Sequence, residues 1–153
     1  MIKVTIRELR QADLGAVIRL WRRSPGVGLD ADSDNPSALR SYLKRNPGTS
    51  FVATAGGRIA GAVLCGHEGR RGYLGHLAVS PSFRRHGIGG TLVDRCLAEL
   101  KWRGIPKCNI IVFGKNRSGL RFWKASGWKA RPDLVFMQKP TCPSAGKGDT
   151  CSC

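Results

Sequence analysis

The sequence predicts a mixed α/β (α+β) domain: one β-sheet with helices on both faces, in the order β-α-α-β-β-β-α-β-α-β. Three observations predict it. The spacing of apolar residues switches along the chain between every second residue and every third or fourth. A Gly56-Gly57 pair separates two apolar runs, which is the signal of a two-residue hairpin. A strand-like run, Tyr73 to Val79, passes through a glycine-rich turn into an amphipathic helix.

Each element has its own local reason. Val4 to Leu9 alternates as a strand. Asp13 is placed to cap a helix whose apolar face is Leu14, Val17, Ile18 and Trp21, the i, i+3, i+4, i+7 pattern. Ser24 to Asn35 is a loop rich in glycine and aspartate. Asn35-Pro36 then reads as a cap with a first-turn proline, opening a short helix with Leu39, Tyr42 and Leu43 inward and Asn46-Pro47-Gly48 at its end. Ser50 to Ala55 and Arg58 to Cys65 are the hairpin strands, and His67 to Gly72 is a polar turn into the Tyr73–Val79 strand. A long helix follows from about Gly87 to Arg103, closed by Gly104 with Pro106 beyond. Lys107 to Phe113 is a strand, Asn116 starts another helix stopped by Gly127, and Trp128 to Lys139 supplies the last strand. No repeat or internal boundary appears, so residues 1–139 form one domain. Residues 140–153 are a tail rich in cysteine, glycine and serine, with the composition of a flexible segment.

Composition narrows the function. With 153 residues, 41% of them hydrophobic, the chain can bury a substantial core. No apolar run approaches the roughly 20 residues that span a bilayer, and Met1 to Arg7 lacks a signal-peptide core. The expectation is a soluble, cytoplasmic protein. The net charge of +16 fits either a polyanionic partner such as nucleic acid or an anionic cofactor, and the cations are spread along the chain rather than clustered. Of six cysteines, Cys65, Cys96 and Cys108 fall in apolar periodic segments, while Cys142, Cys151 and Cys153 lie in the tail. No C-x-x-C pair supports zinc, so reduced thiols and no metal are expected.

The segment with the most chemistry is Arg84-Arg85-His86-Gly87-Ile88-Gly89-Gly90, between the Tyr73–Val79 strand and the helical run Thr91 to Leu100. Glycines let the backbone approach a ligand closely, and the unpaired N–H groups of a first helical turn point at an anion. The chain as a whole resembles the GNAT superfamily of N-acetyltransferases. Arg84-x-x-Gly87-x-Gly89 matches that family's pyrophosphate signature, and Leu77-Ala78-Val79 its preceding strand end. Asn116 matches its cofactor-side asparagine, and Phe122-Trp123-x-x-x-Gly127-Trp128 its late aromatic segment. The resemblance runs from Lys3 to Lys139. His67 to Gly72 followed by His76 to Val79 is also similar to the YpeA-like bacterial branch.

The resemblance implies acetyl-coenzyme A as cosubstrate and direct attack of a primary amine on its thioester. Leu77, Ala78, Val79, Arg84, Arg85, His86, Gly87, Ile88, Gly89, Gly90, Asn116 and Trp123 would then hold the cofactor. The last of these stands where many relatives carry a tyrosine that protonates the leaving thiolate, and indole cannot act as that acid. The pantetheine arm would lie where the Leu77–Val79 strand end splays from the Lys107–Phe113 strand. A base is needed for a side-chain amine, and Glu68, Tyr73 and His76 are the candidates. Asp30, Asp32 and Asp34 form an acidic cluster in the loop that lines the acceptor side in relatives, where a cationic amine would be drawn. The acceptor is a peptide or small-molecule amine and the protein a monomer or homodimer. The competing expectation is a non-catalytic module that senses coenzyme A or binds nucleic acid.

Overall fold

A five-stranded sheet carries the molecule, with strands in the order β1-β2-β3-β4-β5. The computed structural model describes residues 2–142. The strands are β1 (Val4–Glu8), β2 (Phe51–Ala55), β3 (Arg58–His67), β4 (Gly72–Val79) and β5 (Cys108–Ile110). The helices are α1 (Leu14–Arg22), α2 (Pro36–Arg45), α3 (Ile88–Trp102) and α4 (Arg117–Ala125). The first four strands pair antiparallel in sequence order, and β5 joins parallel to β4.

Both faces of the sheet are covered. On one, Val17, Ile18 and Trp21 of α1 and Leu39 and Leu43 of α2 pack on Val52, Ala62, Leu64 and Ala78. On the other, Ile88, Leu92, Val93, Cys96 and Leu100 of α3 and Trp123 of α4 pack on Phe51, Val63, Cys65 and Leu74. The apolar stripe expected for α1 is buried throughout, at about 1.5–3 kcal/mol per large side chain. Gly56 and Gly57, at φ +54° and +73°, turn the β2–β3 hairpin in the doubly left-handed geometry that matches strand twist. Asn35 caps α2 by accepting the Ala38 N–H at 2.9 Å, with Pro36 in the first turn.

The structure corrects four expectations. Asp13 does not cap α1 with its side chain. Its carboxylate takes the Arg7 guanidinium at 2.7 and 2.8 Å and the Arg10 N–H at 2.8 Å, closing a short 3-10 turn ahead of the helix. The strand expected over Lys107–Phe113 is confined to Cys108–Ile110, because β4 turns away and leaves Ile111 to Phe113 without a ladder. Trp128–Lys139 forms no strand. Pro132 lacks a donor, Leu134 N–H closes a turn onto Arg131 O, and the Arg131–Asp133 ion pair tightens it, so Leu134 to Met137 stay exposed. Cys142 is disulfide-bonded, against the expectation of reduced thiols, whereas Cys65, Cys96 and Cys108 are free. The tail from 143 onward lies outside the described residues. None of the described helices is long and apolar enough to cross a membrane.

Candidate active site

The sheet opens where β4 and β5 part. Their parallel ladder joins Gly72 to Cys108, Tyr73 to Asn109 and Leu74 to Ile110, and ends there. Beyond it β3 is the only strand among the described residues that pairs with β4, with Gly61 opposite Val79 and Ala62 opposite Ala78. The Ser80 N–H donates to Ala60 O at 2.8 Å, so the backbone bond across this end of the β3–β4 ladder is made at residues 60 and 80. Antiparallel alternation then turns the N–H and C=O of Val79 away from β3, toward the fork. The Val79 carbonyl is met by Arg84, whose Nε donates to it at 3.0 Å. No strand among the described residues lies beside the N–H.

The glycine turn follows directly. Arg85 and Gly87 adopt φ +63° and +74°, so the chain curls twice into the left-handed region before α3 begins. A glycine takes this conformation freely, while for Arg85 it costs about 1–2 kcal/mol. Such alternation points successive N–H groups at one spot, an anion nest. None of the described hydrogen bonds uses the N–H of Arg85, His86, Gly87, Ile88, Gly89 or Gly90. The first helical bond runs from Thr91 N–H to Gly87 O at 3.0 Å. These six donors, at the positive end of a 15-residue helix, can take a diphosphate. The His86 ring turns back on its own loop, with Nδ1 2.7 Å from Arg84 O.

Two further cofactor candidates serve the scaffold. Asn116 Oδ1 accepts the Gly119 N–H at 3.0 Å and caps α4. Trp123 is buried between Phe122 and Trp128, with ring centroids 5.0 and 5.2 Å away, both edge-to-face. Leu77 and Val79 pack toward α3 and α4, and Ala78 toward α1.

The three candidate bases are separated. Glu68 lies in the turn before β4, at the zipped end. Its carboxylate accepts the Arg71 N–H at 2.7 Å, the Arg70 N–H at 2.8 Å and the Arg70 side chain. The Arg71 N–H, followed by the Arg70 contacts, holds its pKa below the ordinary value. Tyr73 is half-exposed, opposite Asn109 in the zipped ladder. His76 sits at the fork.

A β-bulge places it there. Leu64 faces Gly75 and Ala62 faces Ala78, so Val63 opposes both His76 and Leu77. Regular alternation would turn His76 to the same face as Leu74, against α3. The bulge, with His76 at φ +53°, re-aims it to the opposite face. There its ring stands edge-on to Trp21, centroids 5.1 Å apart, and its Nε2 lies 2.9 Å from Asp34 Oδ1. The acidic loop is otherwise turned inward: Asp34 Oδ2 accepts the Asp30 N–H at 2.8 Å, and Asp30 Oδ1 accepts the Asp32 N–H at 2.8 Å. Asp32 stays exposed.

Three features were not anticipated from the sequence. Trp21, read as a core residue, also walls His76. Gly26 and Gly28 lie so close to Asn116 and Phe113 that a Cβ on either would collide with them. The loop from Ser24 to Asn35 therefore touches both arms of the fork: β4 through Asp34, and the far lip through its glycines. The aspartates had pointed to the acceptor side of the site, but only the two glycines hinted at the close approach to Asn116 and Phe113.

A sheet forked beside a glycine nest is what the resemblance to the GNAT superfamily implies, and comparison with known proteins shows the family. The model of the acetyltransferase (GNAT) family matches residues 14–128. The chain belongs to the GNAT acetyltransferase family. Among similar members, acetyltransferase YE1169 of Yersinia enterocolitica is 36% identical over 134 residues, spanning 88% of this chain and 93% of that one. The fold also matches the PaiA N-acetyltransferase of Thermoplasma acidophilum, solved with coenzyme A, at a TM-score of 0.75 and 21% identity, over 84% of this chain and 91% of that one. A predicted acetyltransferase of Clostridium acetobutylicum, solved with acetyl-CoA, gives 0.71 and 17% over 89% and 96%. This GNAT protein is thus an N-acetyltransferase by family, with the mixed sheet and flanking helices of its structural neighbours.

Proposed function

We propose that this GNAT enzyme moves an acetyl group from acetyl-coenzyme A directly to a primary amine of a peptide or small molecule, using His76 as base. As a member of its family it takes acetyl-coenzyme A as acyl donor, which supplies an activated thioester. The observation that carries the finer reading is the conjunction at one fork of an unpaired Val79 N–H, the Arg85–Gly90 nest and His76.

The residues divide the work. Arg85–Gly90 hold the diphosphate through main-chain donors. Val79 N–H donates to the acetyl carbonyl oxygen as negative charge grows there, a contribution of about 3–4 kcal/mol. A lysine-like ammonium costs about 4–5 kcal/mol to deprotonate at pH 7, and His76 takes that proton. The amine nitrogen bonds to the acetyl carbon as the carbon–sulfur bond breaks. The second amine proton passes to water or to the released thiolate. Trp123, buried among aromatics, takes no part in this proton transfer. Such an enzyme works in the cytoplasm as a monomer or homodimer.

The test is calorimetric binding of acetyl-coenzyme A, followed by release of free thiol in a panel of peptide, lysine-like and small-molecule amines. Saturable binding with amine-dependent thiol release is expected. Binding without turnover by any amine, or salt-sensitive nucleic-acid binding in its place, overturns the reading.

A further inference from the structure

We propose that Asp34 is a positioning residue: it fixes His76 in the tautomer protonated on Nε2, leaving Nδ1 as the basic atom at the fork. The proposal rests on the acyl-transfer reading above and deepens it. A carboxylate only accepts hydrogen bonds, so the 2.9 Å contact from Asp34 Oδ1 to His76 Nε2 places the ring proton on Nε2. The other nitrogen, Nδ1, has no hydrogen-bond partner among the described residues. It keeps a free lone pair, which is what a proton acceptor needs.

The pair is held from several directions. Asp34 is oriented by the Asp30 N–H on its second oxygen, and Asp30 in turn by the N–H groups of Asp32 and Ser33 at 2.8 and 3.2 Å. The Asn35 amide closes the same turn onto Ala31 O and Asp32 O, both at 3.1 Å. Across the ring, Trp21 is fully buried and nearly perpendicular to the imidazole, at 88°. Its indole Nε1 is the one buried side-chain polar atom among the described residues without a partner. At the far end, Gly26 and Gly28 seat the loop against Asn116 and Phe113. His76 itself is kept in a left-handed backbone conformation that a histidine seldom adopts, on a bulge beside the fork.

A structural clasp between loop and strand would need only a hydrogen bond, whichever atom donates it. A positioning role needs the carboxylate. Asp34→Asn separates the two: its amide can replace the carboxylate in shape and donate to Nε2, which preserves the clasp and drives the proton to Nδ1.

The experiment is amine-dependent thiol release by wild type, Asp34→Asn and Asp34→Glu, with long-range nitrogen–proton NMR of the His76 ring and a thermal melt of each. Expected are an Nε2–H imidazole in the wild type and an Nδ1–H imidazole in Asp34→Asn. The kcat of that variant should fall by about 10²-fold, with its acetyl-coenzyme A affinity and melting point held near wild type. Asp34→Glu should recover part of the loss and keep the Nε2–H form. An Nδ1–H wild type, or kcat within twofold of wild type in Asp34→Asn, overturns the positioning role. If Asp34→Asn fails to fold, the wild-type tautomer and Asp34→Glu decide: an Nε2–H form with partial activity supports the role. Absence of wild-type turnover on every amine strikes the acyl-transfer reading instead, and the ring tautomer still reports on the pair.

Discussion

The two sides of the fork are built of opposite materials. Toward α3 the candidate surface is main chain: consecutive residues from Arg85 to Gly90 offer N–H groups, and the His86 ring turns back on its own loop. Toward α1 it is side chain: Trp21, Asp34 and His76 come from a helix, a loop and a strand. On the acyl-transfer proposal, the difference follows from the ligands each side would meet. A diphosphate is large and uniformly charged, so an array of backbone dipoles suits it whatever the residue names. An amine must lose one proton to one atom, so a particular side chain has to be aimed. The main-chain side should therefore tolerate changes of residue type but not of backbone shape. The side-chain side should show the reverse.

Gly87→Glu is the strongest way to break that comparison. Among the described residues nothing lies within 4 Å of a Cβ at Gly87, so crowding is not the difficulty. The residue sits at φ +74°, and an added carboxylate would face the anion. Calorimetry should show acetyl-coenzyme A affinity reduced by more than about 10³-fold, a little over 4 kcal/mol. His86→Ala, in the same loop, should keep affinity within about threefold because its ring faces Arg84 O. Equal losses in the two variants would show that side chains, not amides, make the nest.

His76→Gln tests the other side. Steady-state kinetics should give a kcat lowered by about 10²–10³-fold, with acetyl-coenzyme A affinity unchanged. A loss of affinity equal to the loss of rate would mean that the imidazole binds the donor and leaves the acceptor's proton alone.

That division also governs what could be read from the chain. The Arg84–Gly90 turn was legible as structure because its shape is local: glycine spacing, a strand before and a helix after lie within some twenty residues. The helices and the hairpin were legible for the same reason, through Asn35-Pro36, Gly56-Gly57 and the α1 stripe. The His76–Asp34 pair was not, although both residues were singled out, for different roles. They lie 42 positions apart, and the bulge that turns His76 toward Asp34 is created by register against β3, which no local pattern encodes. Trp128–Lys139 failed in the other direction. Its apolar residues have strand propensity, but propensity makes no strand where β5 offers only three paired residues and Pro132 opens a turn.

Trp123→Phe sharpens the comparison at smaller amplitude. Trp123 supports the main-chain side from below, through Phe122, which lies against Gly89. Losing part of a buried indole between two rings should cost about 1–2 kcal/mol in urea denaturation. Acetyl-coenzyme A affinity should stay within about twofold, since the ring is in the core. A large loss of affinity with normal stability would put the indole against the cofactor.

The smallest effect is at the base of α1, the helix that carries Trp21. Asp13 is gripped by Arg7 through two contacts, at 2.7 and 2.8 Å. Hydrogen bonding from Arg7, opposed by burial and helped by the Arg10 N–H, lowers its pKa. Arg7 is one-third exposed, so solvent and salt screen the pair and its worth is under about 1 kcal/mol. Because the folded carboxyl is more acidic than the unfolded one, the pair stabilises fully above the unfolded value near 3.9. That contribution disappears as pH falls through the lower folded value. Urea titrations of wild type and Asp13→Asn should therefore differ at pH 7 and converge as the solution is acidified. The rate should be untouched, because the ion pair closes the turn before α1 while Trp21 meets His76 near the helix's other end. A difference in stability that widened in acid would mean the carboxyl is held neutral, and Arg7 could not be its partner.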